Sequence, residues 1–379
     1  MKKLQMPKGL SLLLLLCVIA GVIASFPVSF ADLTPGQSTH TVSDMAERTV
    51  TLPVSINNIL PLYGPAYEKI VILGAEDKIV MCADYQKTHS AWAHVVYKHL
   101  DSIPAFSNPS NPNMEEIIKD NPDVVFYFGK DKIADKMESL GIPVICSVGN
   151  TTKIESLKDS IRLYGKVLGS EATTRAEEYC SYFDEKLQFV TSKVSSLTDA
   201  DKPKVYVTNG IPLRTKGANT IMRDTVEKAG GIYVAKDIVN ATATINPEQL
   251  VTWNPDIIII DHAPDLPDPS SSATSNTPNA QAVKEEIMTK PEFQSINAVK
   301  NKQVYISPMG SFFWDAGQQG ILQLEWMAQI FHPDLFKDMD MSKEVKDFYS
   351  KFFNYDLTDD QLSRIMNHEL PENAKEFGY

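Results

Sequence analysis

Between residues 56 and 307 short apolar runs alternate with segments whose apolar positions recur every three to four residues. The runs at 56–60, 79–83, 123–128 and 143–148, then 204–209, 256–261 and 303–307, predict strands. The periodic segments at 67–73, 114–119 and 133–140, then 221–229, 247–253, 280–288 and 320–331, predict helices. Val124-Val125-Phe126-Tyr127 and Ile257-Ile258-Ile259-Ile260 are apolar at every position, so both faces of these strands need cover. Strands of that kind, alternating with helices, make an α/β protein with mostly parallel sheets. One longer period lies between the halves: Ala176, Tyr179, Cys180, Phe183, Leu187, Val190, Val194 and Leu197. Thr174 with Glu177 reads as its capping box. A helix over 174–197 would be about 36 Å long at 1.5 Å per residue, enough to cross two lobes and restrict their closure.

The halves repeat one another. Asn113-Met-Glu-Glu-Ile-Ile-Lys-Asp-Asn-Pro-Asp-Val-Val aligns with Asn246-Pro-Glu-Gln-Leu-Val-Thr-Trp-Asn-Pro-Asp-Ile-Ile at a constant offset of 133 residues. Each frame runs into a buried strand, then another helix and strand. The expected fold is therefore α/β: two similar three-layer lobes facing a cleft, joined by a long rigid interlobe helix. The divisions are 1–31 an export signal, 40–172 the first lobe, 173–198 the helix, 203–340 the second lobe and 341–379 a helical tail. A ligand would sit where the strand ends of the two sheets meet. Residues 264–278, rich in Pro, Ser and Thr, follow a strand directly and are expected to form a loop at the cleft rim, as a flap or as an insertion without a role.

Composition adds the compartment. Lys2, Lys3 and Lys8 precede an uncharged apolar run ending in Ser29-Phe30-Ala31, the layout of a secretory signal cleaved after Ala31; retention as an anchor is the alternative. The 36 bases against 48 acids give a formal charge of −12, and loss of those three lysines takes the exported chain to −15. Such a surface argues against nucleic acid as a partner. Cys82, Cys146 and Cys180, an odd number in apolar surroundings, read as core with at least one free thiol.

Catalytic motifs are absent from the sequence: no G-x-S-x-G, H-E-x-x-H or P-loop occurs. His89, His94 and His99 are five apart, about 140° around a helix, so they do not make a one-face metal pair. Polar and aromatic residues do gather after strand ends: Tyr63 in the first lobe, then Tyr85, His89, Trp92 and His94. In the second lobe the corresponding places hold Arg214 and Lys216, His262, and Met309 with Phe312-Phe313-Trp314. Aromatic faces with few cations suit a planar or chelated ligand. His89, His94 and His262 are candidates for direct donation to a metal centre.

From about Thr41 onward the chain resembles the substrate-binding proteins of iron–siderophore and cobalamin ABC importers, the class III periplasmic binding proteins. Val42-Ser43-Asp44-Met45-Ala46-Glu47-Arg48-Thr49-Val50 is similar to the family's D-x-x-G-R-x-V opening, with Ala46-Glu47 in place of the small-Gly turn. Leu73-Gly74-Ala75-Glu76-Asp77-Lys78-Ile79-Val80 and Ala298-Val299-Lys300-Asn301-Lys302-Gln303-Val304-Tyr305 match two further family segments, and Glu344-Val345-Lys346-Asp347-Phe348-Tyr349 resembles the tail of one iron-complex branch. The resemblance implies an exported, monomeric, non-enzymatic protein without a cofactor, in the periplasm or tethered to the outer face of the cytoplasmic membrane. It would capture a small metal complex, a ferric siderophore first, and deliver it to an ABC permease and its ATPase. Corrinoids, haem, nickel or cobalt chelates and oxyanions are the other ligands it implies. The alternatives outside that role are a sensor or a metal-dependent enzyme. A glutamate on each lobe docks onto the permease in such proteins; by position these are Glu115 and Glu248, which also read as first-turn acids after the N-caps Asn113 and Asn246.

Overall fold

The computed structural model describes residues 38–379 apart from 89, 107–111, 150–151, 262–278 and 316. The expected signal, the loop at 264–278, His89 and His262 lie outside the described residues. Residues Gln37–Tyr379 form one compact unit.

The first lobe opens with an antiparallel hairpin, β1 (Thr39–Ser43) and β2 (Thr49–Pro53). In its turn Asp44 accepts hydrogen bonds from the amides of Ala46 and Arg48 and pairs with the Arg48 guanidinium. Glu47 sits at φ 60°, in the left-handed region that glycine occupies without strain. Then come β3 (Ile59–Pro61), α1 (Gly64–Ile72), β4 (Cys82–Ala83), α2 (Tyr85–Thr88), α3 (Ala91–Val96), β5 (Ala105–Phe106), α4 (Met114–Asp120), β6 (Val124–Tyr127), α5 (Lys132–Ser139), β7 (Val144–Cys146) and α6 (Ser156–Leu168). Strands β3, β6 and β7 form one parallel sheet with β6 central, and β4 pairs with β5 in parallel alongside. Every residue of β6 is buried, as an all-apolar central strand requires.

The crossing helix, α7, spans Ser170–Val194, four residues earlier at its start than the sequence period indicates. The expected capping box does not form. Thr174 is already one turn inside, its hydroxyl donating to the Ser170 carbonyl, and Glu177 is drawn across to Arg162 of α6.

The second lobe comprises β8 (Lys204–Asn209), β9 (Ile211–Lys216), α8 (Ile221–Lys228), β10 (Ile232–Tyr233), β11 (Thr242–Thr244), α9 (Pro247–Trp253), β12 (Ile257–Ile260), α10 (Ala280–Thr289), α11 (Asn297–Lys300), β13 (Val304–Ile306) and α12 (Gly320–Phe331). Its sheet order is β11-β9-β8-β12-β13, with β10 also on β8. Arg214 and Lys216 therefore lie on an antiparallel strand, not in a loop after β8. The hairpin turns at Gly210, whose φ of 83° an L side chain disfavours, and folds β9 back along β8. Helices α13 (Met341–Phe348) and α14 (Asp359–Met366) form the tail.

The repeat has a common structural cause. Helices α4 and α9 have the same length, begin at the N-caps Asn113 and Asn246, and end on left-handed Asn121 and Asn254 at φ 43° and 44°. The Asp of each Asn-Pro-Asp then ties down the start of a neighbouring strand. Asp123 accepts the amides of Asn57 and Asn58, and Asp256 accepts that of Lys204. Both frames deliver a strand with a parallel partner on each side, β6 between β3 and β7 and β12 between β8 and β13. The three described cysteines are free and buried.

Candidate functional site

The lobes meet where their strand-end loops touch. Tyr63 precedes α1 in extended conformation, and Gly64 follows it. A Cβ on Gly64 would stand 2.9 Å from the Phe312 ring of the second lobe and 3.0 Å from that of Tyr85, so glycine is what lets these rings approach. The Tyr85 and Phe312 ring centroids are 6.2 Å apart, and Ser90 donates a 2.8 Å hydrogen bond to the Gly310 carbonyl. Phe313 packs edge-on to Phe312 at 5.9 Å. Phe128, which follows β6, is 59% exposed and meets Tyr63 edge-on at 5.8 Å. A large apolar ring left open at a strand end gives a ligand a face to stack on.

Beneath these rings lies a buried ion. The Lys69 ammonium sits 5.5 Å from the Tyr63 ring centroid and 5.3 Å from that of Tyr164, and donates to the Pro65 carbonyl. Burial pushes its pKa down to about 8, against the pull of neighbouring Glu68. Burial likewise pushes the Glu68 carboxyl up, although it accepts hydrogen bonds from the Gln318 amide at 2.6 Å and the Gln319 side chain at 2.9 Å.

In the second lobe Lys216 is held between Asp261, at 3.0 Å, and Asp315. Gln323 donates to Asp261 at 3.1 Å and to Ser307 at 3.2 Å. Arg214, two residues before Lys216 on the same face of β9, is exposed and makes no ion pair with a described residue.

Other expected ligand residues are placed elsewhere. Trp92 is fully buried and donates its indole N–H to the Glu369 carbonyl at 2.9 Å. His94 is shared between Asp101 and the Lys87 carbonyl, and its ring stacks on Phe377 at 4.5 Å. The cause is α3, whose face of Ala91, Trp92, Ala93 and Val96 turns into the core while the chain end closes over His94. Trp314 is also buried, at 1% exposure. Among the described residues no three His, Cys, Asp or Glu side chains are grouped to hold a metal ion. Phe128 and Lys69 are absent from the sequence-based candidates. Phe128 carries a readable signal, an aromatic just past an all-buried strand, whereas Lys69 lies inside a helix and carries none.

With two α/β lobes, a crossing helix and an aromatic junction at the strand ends in place, the sequence profile decides the family: that of the periplasmic binding proteins matches residues 62–309. The chain belongs to the periplasmic binding protein family. It is similar to the molybdate-binding protein MolA of Haemophilus influenzae, with 25% identity over 345 residues that cover 85% of this chain and 93% of MolA. A periplasmic solute binding protein from Veillonella parvula superposes at a TM-score of 0.71 with 28% identity, covering 87% of this chain and 97% of the other. CeuE of Helicobacter pylori, in complex with nickel and histidine, has the same fold at a TM-score of 0.67 and 23% identity, covering 87% and 99%. Membership makes the chain an extracytoplasmic substrate-binding component of an ABC transporter, a transport part and not an enzyme.

Proposed function

We propose that this periplasmic binding protein captures a small, neutral or weakly charged metal chelate, a ferric siderophore first, and passes it as a monomer to an ABC permease and its ATPase. The observation that carries this reading is the charge balance at the lobe junction. Lys216 is consumed by Asp261 and Asp315, Arg214 is exposed on β9 without an ion pair to a described residue, and the rings of Tyr63, Tyr85, Phe128 and Phe312 gather at the strand ends. A polyanionic catecholate complex needs several cations, whereas a compact complex with an apolar periphery needs ring faces and one or two charge-assisted bonds. His89 and His262 are the proposed donors to an open metal position. Trp92, His94 and Trp314 are left out of the wall because their rings are used in the core. Export through residues 1–31 places the protein in the periplasm or on the outer face of the cytoplasmic membrane.

A second reading, an oxyanion of the molybdate type, is supported by the likeness to MolA and would use Arg214 with the buried Lys69. Calorimetric titration of the exported chain with a ferric trihydroxamate, with nickel–histidine and with molybdate separates the two. Saturable binding of the ferric chelate, weakened about tenfold or more in Arg214→Ala or Tyr85→Ala, is expected. Saturable binding of molybdate without binding of either chelate overturns the first reading in favour of the second.

A further inference from the structure

We infer that Lys216 is a positioning residue for the aromatic wall: its ammonium ties β9 to the end of β12 and to the segment carrying Phe312, Phe313 and Trp314. The inference rests on the reading of that wall as the ligand face. Three chain segments far apart in sequence meet at this one nitrogen. Lys216 ends β9, Asp261 follows β12, and Asp315 closes the segment that begins with the bridge between Met309 and Phe313. The side chains of Lys216, Asp261 and Asp315 are 12%, 3% and 4% exposed, so solvent screens them little. Two carboxylates facing one another at that burial repel unless a cation stands between them, and the lysine supplies it from within the chain.

The far ends of this arrangement are themselves fixed. Asp261 is oriented by Gln323 at 3.1 Å and donates its backbone N–H to Thr208 at 3.3 Å, and the Lys216 carbonyl accepts from Tyr233 at 2.6 Å. The base of the arrangement therefore belongs to the sheet, and the segment that ends in Asp315 is the part that this tether joins to it. Phe312, three residues before Asp315, is the ring that meets Tyr85 and stands over Gly64. Holding Asp315 thus sets how the second lobe presents Phe312 to the first. The same placement turns Lys216 toward Asp261 and Asp315, so a cation that the sequence groups with the strand-end residues around a ligand acts as an internal strut.

Amide hydrogen exchange on the ligand-free protein tests this without any ligand. In Lys216→Met, exchange at residues 309–315 should rise about tenfold or more while β8, β12 and β13 keep their protection, and Lys216→Arg should stay within about threefold of the parent. Asp315→Asn cuts the same tether but leaves Lys216 and Asp261 as a balanced pair, so it should loosen the same residues even if Lys216→Met fails to fold. Affinity for a ferric trihydroxamate should fall in parallel, about tenfold, in both tether-cutting variants. Unchanged exchange at 309–315 in Asp315→Asn, or Lys216→Arg as loose as Lys216→Met, overturns the inference. A parent protein that binds no chelate overturns the proposed function instead, and the exchange result then still decides the role of Lys216.

Discussion

Glu325 lies on α12 with both carboxyl oxygens buried and without a hydrogen-bond partner among the described residues. Burial, reinforced by Glu344 and opposed by Lys186, pushes its pKa up to about 8 from an ordinary 4.5. Tyr182 of α7, Lys186 and Glu185 beside it, and Glu344 of α13 are the polar groups around it; Lys186 is already paired with Glu344. A carboxyl raised in the folded state holds its proton where the unfolded chain has released it. Its contribution to stability is therefore complete below about pH 4.5 and is lost as pH rises toward 8, at up to about 1.4 kcal/mol per pH unit in that window. Glu325→Gln keeps the shape and removes the titration. Thermal melts of the parent should fall by a few degrees more between pH 5 and pH 8 than melts of Glu325→Gln, about 2 °C or more per kcal/mol. Parallel pH profiles would show that Glu325 is already ionised in the fold.

Helices α4 and α9 show what an element owes to its last residue. Asn121 and Asn254 both end a helix in the left-handed region, where alanine costs about 1 kcal/mol and glycine nothing. The two differ in their side chains, because Asn254 also accepts the amide of Asn297 at 2.8 Å. Asn121→Gly should be neutral within about 0.5 kcal/mol, Asn254→Gly should cost about 1 kcal/mol through the orphaned amide, and both alanine variants should cost about 1 kcal/mol or more in urea unfolding. Equal effects of the two glycine variants would remove the role assigned to the Asn297 contact. These frames are legible in the sequence because cap, left-handed Asn, Pro and strand-tethering Asp are local chemistry, and β6 and β12 follow from their unbroken apolar runs. Strand β9 is not legible, since Pro212 lacks the amide a strand ladder uses and only the turn at Gly210 folds the chain back along β8. The capping box at Thr174 fails for a similar reason: a helix start is decided by the chain before it, here the close approach of α6 to α7. The site is legible as a set of strand ends but not as a set of side chains. Whether Trp92 or His94 faces a ligand depends on where Glu369 and Phe377 return from the far end of the chain, which no local pattern contains.

At the scale of the whole molecule the repeat places one acid on each lobe in the same structural setting. Glu115 and Glu248 stand in the first turns of α4 and α9, both exposed, and neither makes an ion pair with a described residue. We propose that they are the two points that dock onto basic groups of the permease. Their likeness in setting supports this: two equivalent lobes offering one charge each can address two equivalent permease halves, and a dock of this kind fixes orientation more than it adds affinity. A first-turn acid also favours its own helix dipole by about 0.3–1 kcal/mol, so a stabilising role alone would show as lowered stability with transport intact. Glu115→Ala/Glu248→Ala should bind the ferric probe as the parent does, and should lower uptake in cells about tenfold or more. Each single variant should be less impaired, and raised ionic strength should weaken docking of the parent to reconstituted permease but leave the double variant unaffected. Full uptake by the double variant would reduce both acids to helix-capping charges and would move the docking surface elsewhere on the molecule.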